Sequence, residues 1–508
     1  MVEDKHESNA DKALRGVGQL LLGRIASRII SFGFLVAFVR LLEPVELAVL
    51  PMYYAASAGA IILFSFGIPV TLVREIPRLR VRDLEEMKSL MFTGFTIVMA
   101  GILLTALLAW LFRSPVQTLF LKNISSGTTY LLIIVGMIAG GWKDLMTFVI
   151  KSLQEYRSLA IYNALFELLP KVLGLPGYYL GGIDGLLAGF AAGGLLCNLL
   201  YTARYSSLIF GIRKFHAVGE LLKLSWPFYI ERYIHYFRNN GDVLVISSLL
   251  GAAPLAAFYV AKRLYQLLVM LSRSIQDVIA PSLSELLGKS TQAAISGYAR
   301  VALLVPVPLI PLGTLSAALS YAFLDAIGGK AYTESATLTT ALFCLVAVLD
   351  CLVGVQTRAV FVLGRNTDRL KIVIFQLAVY FPLLFLLAVE LGIAGAPLAQ
   401  AIGYMLASTY AKYLIRRSTS YRAEGLFTWK VTFASTIGAL VLAGLQYYHY
   451  SLLLVPVYLV ASAVIIIMII WLIHSDEDFH RIHTALPRGL KKYSARFRFP
   501  VQHDGAGK

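Results

Sequence analysis

The chain has 508 residues, 58% of them hydrophobic, with a mean hydropathy of +0.72 and a formal net charge of +16. That hydrophobicity leaves no polar stretch long enough to bury a soluble core of its own. The basic residues flank apolar runs, which is the pattern of membrane loops and not of a nucleic-acid-binding surface.

In chain order, a polar tail (residues 1–16) precedes the first apolar run, which itself carries two arginines; this is not the pattern of a cleavable signal peptide. Apolar stretches then follow at 17–39, 47–72, 90–112, 128–150, 159–180, 184–203, 225–249, 255–284, 301–324, 336–358, 370–390, 393–414, 429–447 and 452–473. Each is close to the roughly 20 residues that cross a bilayer as a helix. A helix satisfies its own backbone hydrogen bonds, which irregular chain in lipid does not. The expected fold is therefore an all-α polytopic membrane protein of about 14 transmembrane helices. A basic tail, 475–508, closes the chain. Its Arg488 to Arg498 stretch, with Tyr493, Phe497 and Phe499, suits an anionic lipid surface.

Charge alternates between loops. The even loops and both tails hold about 28 of the 45 Lys and Arg, the odd loops about 4. Arg74, Arg78, Arg80 and Arg82 share one polar loop, expected to run to Lys88, and Arg416, Arg417 and Arg422 another. Gly181 to Asp184, Gly251 to Pro254 and Gln446 to Ser451 carry no Lys or Arg. Both termini and the even loops are thus expected in the cytoplasm. The longest outer loop is Arg113 to Gly127, too short for an external domain; it includes the glycosylation sequon Asn123-Ile124-Ser125.

The chain repeats itself at an offset of about 208–210 residues. Leu41 to Ala48 aligns with Leu249 to Ala256, Arg157 with Arg365, and Gly182-Ile183-Asp184-Gly185 with Gly392-Ile393-Ala394-Gly395. Two six-helix halves, 17–214 and 215–417, follow from this, with two additional helices over 418–474. Six spans separate the copies, so the halves are related by an axis along the membrane normal with a cavity between them.

Several charges lie inside spans, where each costs about 2.5–3.5 kcal/mol at mid-bilayer. Arg24 and Arg28 stand one turn apart in the first span. Glu231, His235, Arg238 and Asp242 form a stripe along the seventh, with Arg232 beside it. The eighth carries Lys262, Arg263, Gln266, Arg273 and Asp277. Arg40, Arg273 and Asp277 fit either the interface, snorkelling to headgroups, or the cavity. Glu167 and Lys171, four apart, suit an ion pair on one helix, and Lys143-Asp144 is open to the same reading. The Pro306, Pro308 and Pro311 cluster marks the ninth span for a break or a kink. A cavity with excess arginine suits an anion, because the guanidinium fork donates two parallel hydrogen bonds and keeps its charge. A large amphipathic anion, a lipid pyrophosphate bearing sugars, fits a groove between two bundles. Its headgroup would sit among Arg24, Arg28, Arg232, Arg238, Lys262 and Arg263.

The chain resembles the polysaccharide-exporter (Wzx-type) branch of the multidrug/oligosaccharidyl-lipid/polysaccharide (MOP) flippase superfamily. The likeness rests on Arg24 and Arg28, on Arg40-Leu41-Leu42-Glu43-Pro44, and on Leu221-Leu222-Lys223-Leu224-Ser225-Trp226-Pro227. Asp242 to Leu250, Ala257-Phe258-Tyr259-Val260-Ala261 and Ala280-Pro281-Ser282-Leu283-Ser284 continue it. One departure is Glu46-Leu47, where the family usually has a glycine after the proline. The resemblance implies an alternating-access flippase that moves a polyprenyl-(pyro)phosphate-linked oligosaccharide to the outer leaflet of the cell membrane. It implies no cofactor and no covalent chemistry. Proton or sodium re-entry through Glu231, Asp242 or Asp350, or the membrane potential itself, would supply the energy. Membrane lipids and glycan-assembly enzymes are candidate partners; nucleic acid is not. The rivals are a multidrug exporter of the same superfamily, which would favour an acidic cavity, and a glycosyltransferase or polymerase using the same lipid carriers. Against the enzyme stands the absence of a substantial catalytic loop; Asp476-Glu477-Asp478, the sole acidic triplet of metal-site type, lies in the tail.

Overall fold

The computed structural model describes residues 30–120, 126–328, 330–363 and 366–419, together with Val460. Arg24, Arg28, Asn123, the spans expected at 429–447 and 452–473, the acidic triplet and the basic tail lie outside the described residues.

Among the described residues every regular element is helical. In order they are α1 (Ile30–Leu41), α2 (Pro44–Leu47), α3 (Val49–Ala60), α4 (Ile68–Arg82), α5 (Leu84–Leu111), α6 (Arg113–Phe120), α7 (Gly127–Ser152), α8 (Tyr156–Arg204) and α9 (Ser206–Ile209). After these come α10 (Val218–Leu250), α11 (Ala252–Lys289), α12 (Thr291–Leu304), α13 (Pro306–Ala318), α14 (Ser320–Gly328), α15 (Lys330–Leu363), α16 (Asn366–Leu391), a 3-10 turn (Gly392–Ala394) and α17 (Gly395–Thr419). Two compact units divide them. The first holds the residues up to Val260 with Ile327–Ala336 and Phe381–Ala396. The second holds Ala261–Ala326, Thr337–Tyr380 and the residues from Pro397. By length and composition, five helices among the described residues can cross a membrane, or six if the bent pair α13–α14 is one span.

Two of those five are hairpins. α8 folds back at Gly181 and Gly182, whose φ values of −151° and +60° are not helical. Its two arms then run antiparallel, which puts Tyr162 on Asn198 (2.6 Å) and Ser158 on Tyr205 (2.7 Å). The second hairpin, α16–α17, turns at Gly392 with φ +61°. Only glycine adopts this left-handed conformation at no steric cost. The same registry returns one repeat later: a Cβ on Gly185 would lie 2.0 Å from the Gly177 carbonyl oxygen, and one on Gly395 would lie 2.2 Å from that of Leu387. The two glycine turns that align in the sequence therefore share one backbone geometry.

Elsewhere the helices depart from the expected spans. The stretch expected to cross as one helix at 47–72 is broken between α3 and α4. The polar loop expected around Arg74 to Lys88 is instead mostly the helical end of α4 and the start of α5. Asp83 caps α5, accepting from Glu85 and Glu86 N–H at 2.9 and 3.0 Å. Arg80 and Arg82 close α4, where the helix dipole favours cations. Arg80 also donates to the Leu153 carbonyl at the end of α7 (3.0 Å). The outer loop 113–127 contains α6. In the ninth span Pro306 starts α13, where a missing N–H costs nothing. The sharp bend of 57° comes after Ala318, C-terminal to all three prolines.

Glu167 and Lys171 pair on one helix at 2.6 Å, and Lys171 is 4% exposed with Ser31 as a further acceptor at 3.0 Å. The three cysteines are free and buried.

Replacing Gly185 by alanine forces a Cβ into the Gly177 backbone, so the hairpin must open. We expect a loss of about 1–3 kcal/mol, read as a lower melting temperature of the purified protein. Gly181→Ala, with open space at its Cβ, should melt close to the wild type.

Candidate functional site

The first unit is organised around the break between α3 and α4. The sequence Ile61 to Gly67 leaves the helix because Pro69 cannot donate a backbone hydrogen bond and Gly67 sits at φ +77°. Phe66 shares that left-handed region at φ +49°, a strained conformation for a bulky residue. α10 holds the break. Tyr229 and Tyr233 hydroxyls both donate to the freed Leu63 carbonyl, at 2.6 and 3.4 Å. The Tyr236 hydroxyl reaches the Ala55 carbonyl at 3.2 Å, and Thr71 pairs with Ser225 at 2.8 Å. Gly67 admits the close approach: a Cβ there would lie 2.3 Å from the Ser225 carbonyl oxygen.

The charged stripe lies along α10. Glu231 and His235 are exposed, Arg238 is half-buried, and Asp242 is 3% exposed with its Oδ1 accepting the Val243 N–H at 2.8 Å. Arg232 leaves this stripe. It turns toward α7, where its guanidinium lies 4.9 Å from the Phe148 ring centroid and feels the Asp144 carboxylate. Its Nη1 is buried and has no hydrogen-bond partner among the described residues. Asp144 instead holds Lys143, at 3.3 Å. The ion pair left open by the sequence thus exists, and it borders the arginine.

In the second unit Lys262 is 8% exposed, and Arg263 donates to Gln266 Oε1 at 3.1 Å. Asp350 is 7% exposed and accepts the Tyr404 hydroxyl. Gln400 donates to the Tyr265 hydroxyl at 3.0 Å and contacts the Tyr404 hydroxyl at 3.5 Å. Among the described residues no basic side chain pairs with Asp350. Arg232, Arg238, Glu231 and Asp242 belong to the first unit, and Lys262, Arg263 and Asp350 to the second.

The sequence reading missed three things. Asp144 and Phe148 as neighbours of Arg232 had no signal beyond charge. The Tyr404–Gln400–Tyr265 surroundings of Asp350 join helices distant in sequence. The broken helix was signalled by Phe66-Gly67-Ile68-Pro69, a glycine and a proline that stop one helix and start another.

Residues 13–287 match the polysaccharide biosynthesis protein family. The chain belongs to that family. No curated protein matches it. Among solved structures it is similar to the lipid II flippase MurJ in an inward closed conformation, with a TM-score of 0.73 at 14% identity over 89% of this chain and 97% of that one. It is similar also to an inward-facing multidrug resistance MATE family transporter of the MOP superfamily, with a TM-score of 0.63 at 16% identity over 78% of this chain and 94% of that one. A MATE in the straight conformation gives a TM-score of 0.54 at 14% identity, over 81% and 96%. This member of the polysaccharide biosynthesis protein family is thus a multi-pass membrane protein with the fold of MOP-superfamily flippases and transporters.

Tyr229→Phe removes one of the two hydroxyls from the Leu63 carbonyl. We expect a loss of about 1 kcal/mol, seen as a lower melting temperature. The Tyr229→Phe, Tyr233→Phe double variant should lose more than the two singles together, because it leaves that carbonyl with neither hydroxyl.

Proposed function

We propose that this protein is a flippase that carries a polyprenyl-(pyro)phosphate-linked oligosaccharide from the inner to the outer leaflet of the plasma membrane. The observation that supports this best is Arg232, a guanidinium on α10, the expected seventh span, whose Nη1 is buried without an acceptor among the described residues. A permanent charge of this kind is costly in hydrocarbon and rare unless it serves a ligand or a pathway. An arginine fork fits phosphate oxygens. Membership of the polysaccharide biosynthesis protein family favours a glycan-bearing phosphate over other anions.

The headgroup enters from the cytoplasm, where both termini lie. Arg24, Arg28, Arg232, Arg238, Lys262 and Arg263 neutralise its phosphates while the polyprenyl tail stays in lipid. The two six-helix halves then alternate between inward-open and outward-open forms, each favoured by the ligands that bind it better. No covalent bond changes.

Asp350 is the strongest of the three coupling candidates. It is a buried carboxylate that accepts the Tyr404 hydroxyl, which Gln400 also contacts, and no basic side chain pairs with it among the described residues. Glu231, exposed, and Asp242, beside the Arg238 turn, follow it. Sodium and the membrane potential are the competing energy sources, and glycan-assembly enzymes are the expected neighbours.

The test is flipping in proteoliposomes, with a fluorescent polyprenyl-pyrophosphate glycan and outer-leaflet exposure as the readout. Arg232→Ala should lower the rate about 10- to 100-fold, the worth of one charge-assisted contact. Asp350→Asn should transport without responding to an imposed pH gradient. A wild type that leaves the glycan lipid in place while moving cationic dyes would replace this reading with a multidrug exporter.

A further inference from the structure

Arg232 and Lys143 are two cations, on α10 and α7, in the neighbourhood of a single carboxylate, Asp144, which pairs with Lys143. Lys143 Nζ lies 3.3 Å from Asp144 Oδ1 and 6.0 Å from the centroid of the Phe166 ring. Arg232 covers the Phe148 ring, one helical turn beyond Asp144, and keeps a buried Nη1 with no acceptor. The cluster of Arg232, Lys143 and Asp144 therefore carries one more positive charge than negative, and one buried donor atom, Arg232 Nη1, lacks an acceptor among the described residues. Asp144 is a third exposed, so the cluster is not sealed within the helix packing. Tyr162 of α8 is the other titratable group near Asp144, and its hydroxyl is committed to Asn198 at 2.6 Å.

A group that takes the place of the missing acceptor must be an anion with at least two oxygens, one for Arg232 and one for Lys143. A phosphate has them. Such an anion meets opposition from Asp144, a negative charge in contact with Lys143 and one helical turn from the ring that Arg232 covers. We propose that Arg232 and Lys143 form an anion site and that Asp144 is its resident counter-ion, which weakens the grip on phosphate enough for release. This goes beyond the flippase reading and rests on it for the identity of the anion. A transporter needs such a device, since a carrier that binds its cargo equally and tightly in every conformation shifts no equilibrium and lets nothing go.

The counter-ion role makes an unusual demand: removing the negative charge of Asp144 must improve binding. Purified full-length protein in nanodiscs is titrated with a short-chain polyprenyl diphosphate, with the matching polyprenol, and with inorganic pyrophosphate. Wild type should bind the diphosphate and not the alcohol. Asp144→Asn should bind it about tenfold tighter, and Arg232→Ala about tenfold more weakly. Asp144→Asn should gain nothing in the Arg232→Ala background. The same gain with inorganic pyrophosphate alone would support the role and assign the anion as free phosphate. Should Asp144→Asn fail to fold, Asp144→Ser is read in the same titration. Unchanged or weaker binding by the folded neutral variant, beside a wild type that binds, overturns the role of Asp144 and leaves the flippase reading standing. A wild type that does not distinguish diphosphate from polyprenol overturns both.

Discussion

A guanidinium within the span of a membrane protein must find something other than lipid, because the hydrocarbon offers neither acceptor nor counter-charge. In this chain Arg232 lies over an aromatic ring, one helical turn from a carboxylate already engaged by a lysine. Much of the first unit is arranged around the helix that carries it. α10 lies against α3 and α4, its tyrosine hydroxyls hold the freed carbonyl of the broken helix, and its charged stripe runs along one side. Packing and polarity are thus two uses of one helix: one face closes the bundle and the other carries charge.

The break at Ile61–Gly67 follows from the same rule. Irregular backbone at membrane depth persists where protein groups satisfy it. At this break the tyrosines of α10 do so. The hairpins at Gly182 and Gly392 solve a different problem, reversing direction within a few residues. Their matching left-handed turns place two antiparallel helix pairs in the same registry one repeat apart.

The all-helical, multi-pass character was legible in the sequence because a bilayer imposes length and hydropathy on each span. The repeat at Gly182 and Gly392 was legible for the same reason that it is structural: a left-handed turn admits few residues besides glycine. The site was legible only in part. Arg232, Arg238, Lys262, Arg263, Glu231, Asp242 and Asp350 declare themselves as charges in apolar runs, but their neighbours do not. Asp144 looked like half of a local pair, and nothing in its spacing ties it to a residue on α10. Tyr404 and Gln400 look like ordinary interior residues until the fold brings them to Asp350. The broken second span was missed because its composition is uniformly apolar. Hydropathy sees the length of such a run and not the glycine and proline within it.

The central claim is that the charged stripe of α10 faces a water-filled, anion-attracting cavity and not lipid. Single cysteines at Glu231, His235 and Arg238, in a background where the buried Cys197, Cys344 and Cys351 are replaced, test it directly. The rate of modification by a small anionic thiol reagent is compared with that of a cationic reagent of similar size. The account predicts that all three positions react from water and that the anionic reagent reacts faster at Glu231 and His235. Protection of all three from both reagents, or a preference for the cation, would contradict it.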